Sequence, residues 1–238
     1  MDGDASRTTS PTTGVVRAAP TANADGRDII GGDGSTASPY FRGGWSTVRP
    51  GRTRAVRAIV TCDDAVVRRR LVIVRHAKSS WDDSTLSDRE RPLAPRGLGA
   101  LGPMRDHLAA SVARPDLVLC SPARRTVDTL AGIVPALPDG VRVEQLDALY
   151  GADAATLLRI VRSLDDEIAC AMFVGHNPGL GDLAVLLAGS GERAARDQLR
   201  EKFPTGAIAT LSVDSGWADL EPGAARLDDL FMPRRPRS

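Results

Sequence analysis

The pattern of apolar positions changes near residue 69. Downstream, short unbroken apolar runs alternate with longer stretches in which apolar residues recur every three or four positions. "LVIV" (71–74), "DLVLC" (116–120) and "ACAMFVG" (169–175) are too short for buried helices and read as strands covered on both faces. "VRVEQL" (141–146) and "GAIATLSV" (206–213) add two more strands. Residues 95–113, 124–134, 153–164 and 180–189 carry helical periodicity. Pro95 suits a first helical turn, Asp153 is a predicted N-cap and Gly189 a predicted helix stop. Gly97, Gly99, Gly102 and Pro103 weaken the start of the first helix. Strands alternating with helices predict an α/β fold, a three-layer α/β/α sandwich around a mostly parallel central sheet.

Residues 1–68 differ. They are rich in Gly, Ser, Thr, Pro, Arg and Asp, with little periodicity before "AVRAIVTC". Such a stretch buries too little apolar surface to offset its ordering entropy, so it is predicted to be a disordered N-terminal extension. An organelle transit peptide is a second reading, which the acidic residues disfavour. A third places the true start of the protein near Val66 or Val67. The expected domain is 69–233, followed by a short basic tail at 234–238.

Composition narrows the function. A formal net charge of +1 gives no overall pull toward nucleic acid or an anionic membrane. Three cysteines, Cys62, Cys120 and Cys170, form no CxxC pair. That argues against a disulfide framework or a zinc ribbon and for a reducing cytoplasm. No apolar run nears the roughly 20 residues of a membrane span, and the N-terminus lacks the apolar stretch of a secretory signal.

The chemistry gathers at strand ends. His76 follows "LVIVR" and His176 follows "AMFVG", both just past an apolar strand. In open α/β sheets the ligand crevice lies at those ends. His107, within "MRDHLAAS", reads as a helix-surface or satisfied histidine. The strand "DLVLC" runs into "SPARRT", which puts Arg124 and Arg125 in the first turn of a helix. Cations there oppose the helix dipole by about 0.3–1 kcal/mol, a mismatch that a bound anion removes. Arg75, His76, Arg124 or Arg125, and His176 make a convergent cationic set without the carboxylate or thiolate partners a metal wants. Such a set suits phosphate, through arginine forks and imidazole donors.

These segments carry a family resemblance. "RHAKSSW" resembles the Arg-His-Gly signature of the histidine phosphatase superfamily, which includes phosphoglycerate mutases and phosphohistidine phosphatases. "SPARRTVDT" resembles its Ser-Pro-x-x-Arg-x-x-x-Thr segment, and "VGHNPGL" the segment of the second catalytic histidine. "LSDRERPLAPRG", "LYGAD" and "FPTGAI" resemble the small SixA-type branch. Together they cover about residues 70–233. The resemblance implies a phosphoglycerate mutase-like fold, His76 as nucleophile, and Arg75, Arg125 and His176 as phosphate ligands. It implies no metal and no cofactor.

Two positions depart from the pattern. Ala77 stands where glycine is usual, and the glutamate that serves larger members as proton donor has no clear counterpart. Asp147 in "QLDALYG" is the nearest candidate, with Asp82 and Asp83 as others, and Lys78 is a possible added charge near the pocket. Without a strong acid, an easily protonated imidazole leaving group is favoured. The leading expectation is a phosphatase for a phosphohistidine-bearing protein. A small phosphorylated substrate is the alternative, and a non-catalytic phosphate-binding module the third reading.

Overall fold

The computed structural model describes residues 68–233, so the expectations for the extension and the basic tail lie outside the described residues. Seven strands form one sheet: β1 (Arg69–Arg75), β2 (Leu117–Cys120), β3 (Arg142–Gln145), β4 (Cys170–Gly175), β5 (Ala188–Gly191), β6 (Ile208–Val213) and β7 (Ala225–Phe231). Their order is β3-β2-β4-β1-β6-β7-β5. β3, β2, β4 and β1 run parallel, and β6 is antiparallel to both β1 and β7. Among the described residues five α-helices flank the sheet: α1 (Pro95–Ala110), α2 (Arg124–Ile133), α3 (Ala154–Arg162), α4 (Gly179–Leu187) and α5 (Arg193–Glu201).

The central strands read as continuous apolar runs because both faces are covered. Leu71 and Ile73 of β1 pack in one core with Leu157 of α3, Leu183 of α4 and Leu199 of α5. Val72 and Val74 pack in another with Met104 of α1 and Leu130 of α2. The strand's period of two divides its side chains between the two helical layers. Each fully buried aliphatic side chain contributes roughly 1.5–3 kcal/mol relative to exposure, so the strands are rigid mounts for the residues at their ends.

Some expectations shift. The first helix ends at Ala110 rather than 113, and it continues through Pro103. Gly97 is not merely a weak point. A Cβ there would collide with the Lys78 carbonyl oxygen, so the residue lets α1 pack against the chain leaving β1. Gly189 does not stop a helix. α4 ends at Leu187, and Gly189 lies inside β5, which pairs with β7. Asp153 caps α3 as expected, its carboxylate accepting from the Thr156 amide at 2.7 Å. The sequence pattern missed β5, α5 and β7.

Candidate active site

Register sets the site. β1 and β4 pair in parallel with Arg75 opposite Gly175, so the next residues, His76 and His176, emerge side by side. The His76 amide donates to the Gly175 carbonyl at 3.0 Å, and the two imidazole centroids lie 5.2 Å apart. β2 adds the third contribution. Cys120 pairs with Val174, and Ser121 then places its Oγ 2.8 Å from His176 Nε2. Both histidines, Ser121 and Arg125 are buried.

His76 is held in one tautomer. Its Nδ1 lies 2.7 Å from the carbonyl oxygen of Ala77, which can only accept. The proton therefore sits on Nδ1, and Nε2 keeps its lone pair. Burial pulls the imidazole down to about 3, and the charges of His176, Arg125 and Arg75 act in the same direction against the Ala77 hydrogen bond. His176 is lowered to about 4 by burial first, then by Arg125 and Arg75, with Asp88 opposing. Among the described residues its Nδ1 has no partner, and it is the nitrogen left for a ligand.

The arginines are fixed by backbone. Arg75 Nη1 donates to the Phe203 carbonyl at 2.7 Å, which also accepts from Asn177 Nδ2 at 2.9 Å. Gly206, with φ +79°, donates its amide to the carbonyls of Arg75 and His76. That left-handed turn explains the glycine of "FPTGAI", and the loop locks both residues from β6. Of the pair at the start of α2, Arg125 turns inward, while Arg124 is partly exposed with its Nε 3.7 Å from Asp128. Ala77 is buried, and its amide donates to Thr129 Oγ1 at 3.0 Å.

The remaining candidates lie elsewhere. Asp147 is exposed and pairs with Arg89 at 2.8 Å, with no hydrogen bond to either histidine. Asp82 accepts from Ser80 Oγ, and Asp83 accepts from Thr85 in a local turn. Lys78 points to solvent. His107 stacks on Phe231 at 4.5 Å, with Nε2 2.8 Å from Asp229 Oδ2 but off the axis of a hydrogen bond. Among the described residues no cluster of three His, Cys, Asp or Glu is placed to hold a metal, and no helix is long and apolar enough to cross a membrane. Burial pushes the Cys120 and Cys170 thiols up to about 12, so neither is a nucleophile near neutral pH.

No family model matches the chain. An uncharacterized protein of Mycobacterium tuberculosis strain H37Rv is 40% identical over 163 residues, spanning 68% of this chain and all of the relative. Among solved structures, a candidate phosphohistidine phosphatase SixA from Nakamurella multipartitia is 30% identical. The match covers 70% of this chain and 96% of that one, with a TM-score of 0.61. A second SixA candidate, from Agrobacterium tumefaciens, is 28% identical with a TM-score of 0.59, covering 69% and 98%. The chain belongs to the histidine phosphatase superfamily, on its SixA-like branch.

In this histidine phosphatase, sequence reasoning missed one carboxylate at the site. Asp88 lies in a short 3-10 turn, Asp88–Glu90, between β1 and α1. Its Oδ2 accepts from Arg125 Nη2 at 2.9 Å and from the Tyr150 hydroxyl at 2.7 Å, and its Oδ1 from Arg91 Nη1 at 2.6 Å. Tyr150 in turn meets the His176 ring edge-on at 5.4 Å. The Tyr150 hydrogen bond, then Arg125 and Arg91, hold the Asp88 carboxyl below its ordinary value. The stretch "LSDRERP" contained the residue, but only contacts across the fold reveal its place.

Proposed function

We propose that this histidine phosphatase attacks phosphorus with His76 Nε2, passes through a phosphohistidine intermediate, and acts on phosphohistidine carried by another protein. The observation that carries this reading is the fixed His76 tautomer beside His176 and two arginines. A histidine nucleophile must be neutral and oriented, and here burial and the Ala77 carbonyl secure both.

Arg75 and Arg125 hold the phosphoryl oxygens, and their fixed charges match the charge spread over three equatorial oxygens in transfer. With the Ser121 hydroxyl donating to Nε2, His176 carries its proton on Nδ1 and donates it in a hydrogen bond to the phosphoryl group. Nε2 of His76 forms the new P–N bond as the bond to the leaving group breaks. Water then attacks phosphorus, and the His76 nitrogen takes back its electron pair. The cationic work falls to protein side chains, so the reaction proposed needs no metal.

A protein substrate is supported by the short or tethered connections around the histidines. Residues 121–123 and 176–178 are short connections, and the longer segment 76–94 is tied down by Arg91, which donates to the Ser79 hydroxyl, the Ser80 carbonyl and Asp88. Residues 69–233 are the proposed catalytic domain. The test compares kcat/KM for a phosphohistidine protein with a panel of sugar and nucleotide monophosphates, all in EDTA. The phosphoprotein should be preferred. Preference for one small monophosphate would favour a metabolite phosphatase on the same scaffold, and absence of turnover a phosphate-binding module.

A further inference from the structure

We propose that Asp88 is the general acid of this site: it holds Arg125 until a phosphoryl dianion takes that guanidinium, and then carries the proton that the leaving group needs. The role presupposes the phosphatase reaction proposed above.

Both terminal nitrogens of Arg125 are engaged by Asp88. Nη2 donates to the Asp88 carboxylate and Nη1 to the Asp88 carbonyl. A phosphoryl group that takes the Nη1–Nη2 fork displaces Asp88 or shares it, so Asp88 stands beside the position the substrate's charge would occupy. Its tethers remain when Arg125 turns away. Arg91 holds Oδ1, Tyr150 holds Oδ2, and Ser87 with Glu90 closes the turn on both sides. The carboxyl thus stays at the phosphate site during the reaction.

The charges facing Asp88 change sign in balance on binding. Arg91 from its own segment, Arg125 from α2 and the Tyr150 hydroxyl keep it ionised in the free protein. Arg89 covers the Tyr150 ring at 4.5 Å, and His176 lies beyond that ring's edge. When the dianion takes Arg125, Asp88 loses one counter-charge and gains a neighbouring anion. Like charges raise a carboxyl's proton affinity, so substrate binding itself protonates the group. Being half-exposed, it collects that proton from water.

The proton then moves as the bond breaks. With phosphohistidine, Asp88 protonates the ring nitrogen not bonded to phosphorus. The P–N electron pair returns to the other nitrogen, and a neutral imidazole leaves. With an ester, the proton goes to the bridging oxygen and an alcohol leaves. In the second step the attacking water returns a proton to Asp88.

The experiment compares wild type and Asp88→Asn on phenyl phosphate and 4-nitrophenyl phosphate, whose leaving group needs no proton, with kcat followed against pH. The loss on phenyl phosphate should exceed that on 4-nitrophenyl phosphate by about 10²-fold, the usual scale of general-acid catalysis. The decline of wild-type kcat at rising pH should vanish in Asp88→Asn and persist in Asp88→Glu. Equal losses on both substrates, or a basic limb that survives in Asp88→Asn, would overturn the assignment and leave Asp88 only positioning Arg125. Trapping the labelled phosphoenzyme in parallel separates the two claims. Label on His76 with equal losses removes Asp88 alone, whereas wild type that never labels His76 removes the reaction and the acid together.

Discussion

His76 and His176 lie with their ring centroids 5.2 Å apart because Arg75 pairs with Gly175 in a parallel register. A one-residue slip of either strand would turn its own histidine to the opposite face of the sheet and part the two rings. Apolar burial on both faces of β1 and β4 therefore positions the two histidines.

Ser121 is expected to act through His176. Its buried hydroxyl is the protein partner that fixes the ring. Ser121→Ala should lower kcat about 10–100-fold, by analogy with the loss of the outer hydrogen bond of a metal-bound histidine. KM should change little, and threonine should restore part of the rate. A purely structural role would instead lower the melting temperature and leave kcat intact.

Acid should weaken the fold through the two histidines. Their folded pKa values, about 3 and about 4, lie below the ordinary 6.5 of the unfolded chain. From pH 6.5 downward the unfolded state binds protons that the folded state refuses, so stability falls with pH. The contribution is present above pH 6.5 and is lost progressively toward pH 4 and 3. Denaturant midpoints of a His76→Asn, His176→Asn protein should fall less over that window than those of wild type. Parallel curves would contradict the shifts.

Gly206 should not tolerate alanine. Its φ of +79° costs a residue with a Cβ about 1–2 kcal/mol, and the added atom would press on Pro233 and Met104. Because its amide holds the Arg75 and His76 carbonyls, Gly206→Ala should lower both the melting temperature and kcat. Loss of stability with unchanged kcat would show that the loop is not needed to place Arg75.

A protein lacking residues 1–66 should fold and turn over substrate as the full chain does, because the sheet and both cores lie within 69–233. Its melting temperature and kcat/KM test this, and a large drop in either would give the N-terminal segment a structural role.

The legible part of the sequence was the part where burial is two-sided. β1, β2 and β4 announce themselves as apolar runs, so Arg75, His76, Arg124 or Arg125, and His176 could be placed at their ends, and the family resemblance chose Arg125. β7 was missed because "ARLDDLF" mixes two aspartates into a strand whose burial is partial. α5 was missed because Leu199 is its one buried residue, and β5 because its Gly189 read as a helix end. Asp88 was illegible for a different reason. Its partners, Arg125 and Tyr150, are distant in sequence, and its half-exposed position carries no burial signature. Asp147 drew attention through its nearness to β3 in the chain, yet its side chain faces solvent and Arg89.

The central claim is that His76 becomes phosphorylated. Rapid quenching of the protein with a 32P-labelled phosphodonor, followed by peptide mapping, tests it most directly. The account predicts acid-labile, base-stable label on His76, absent from a His76→Ala protein that keeps its melting temperature. Label on another residue, or wild-type turnover by His76→Ala, would contradict it.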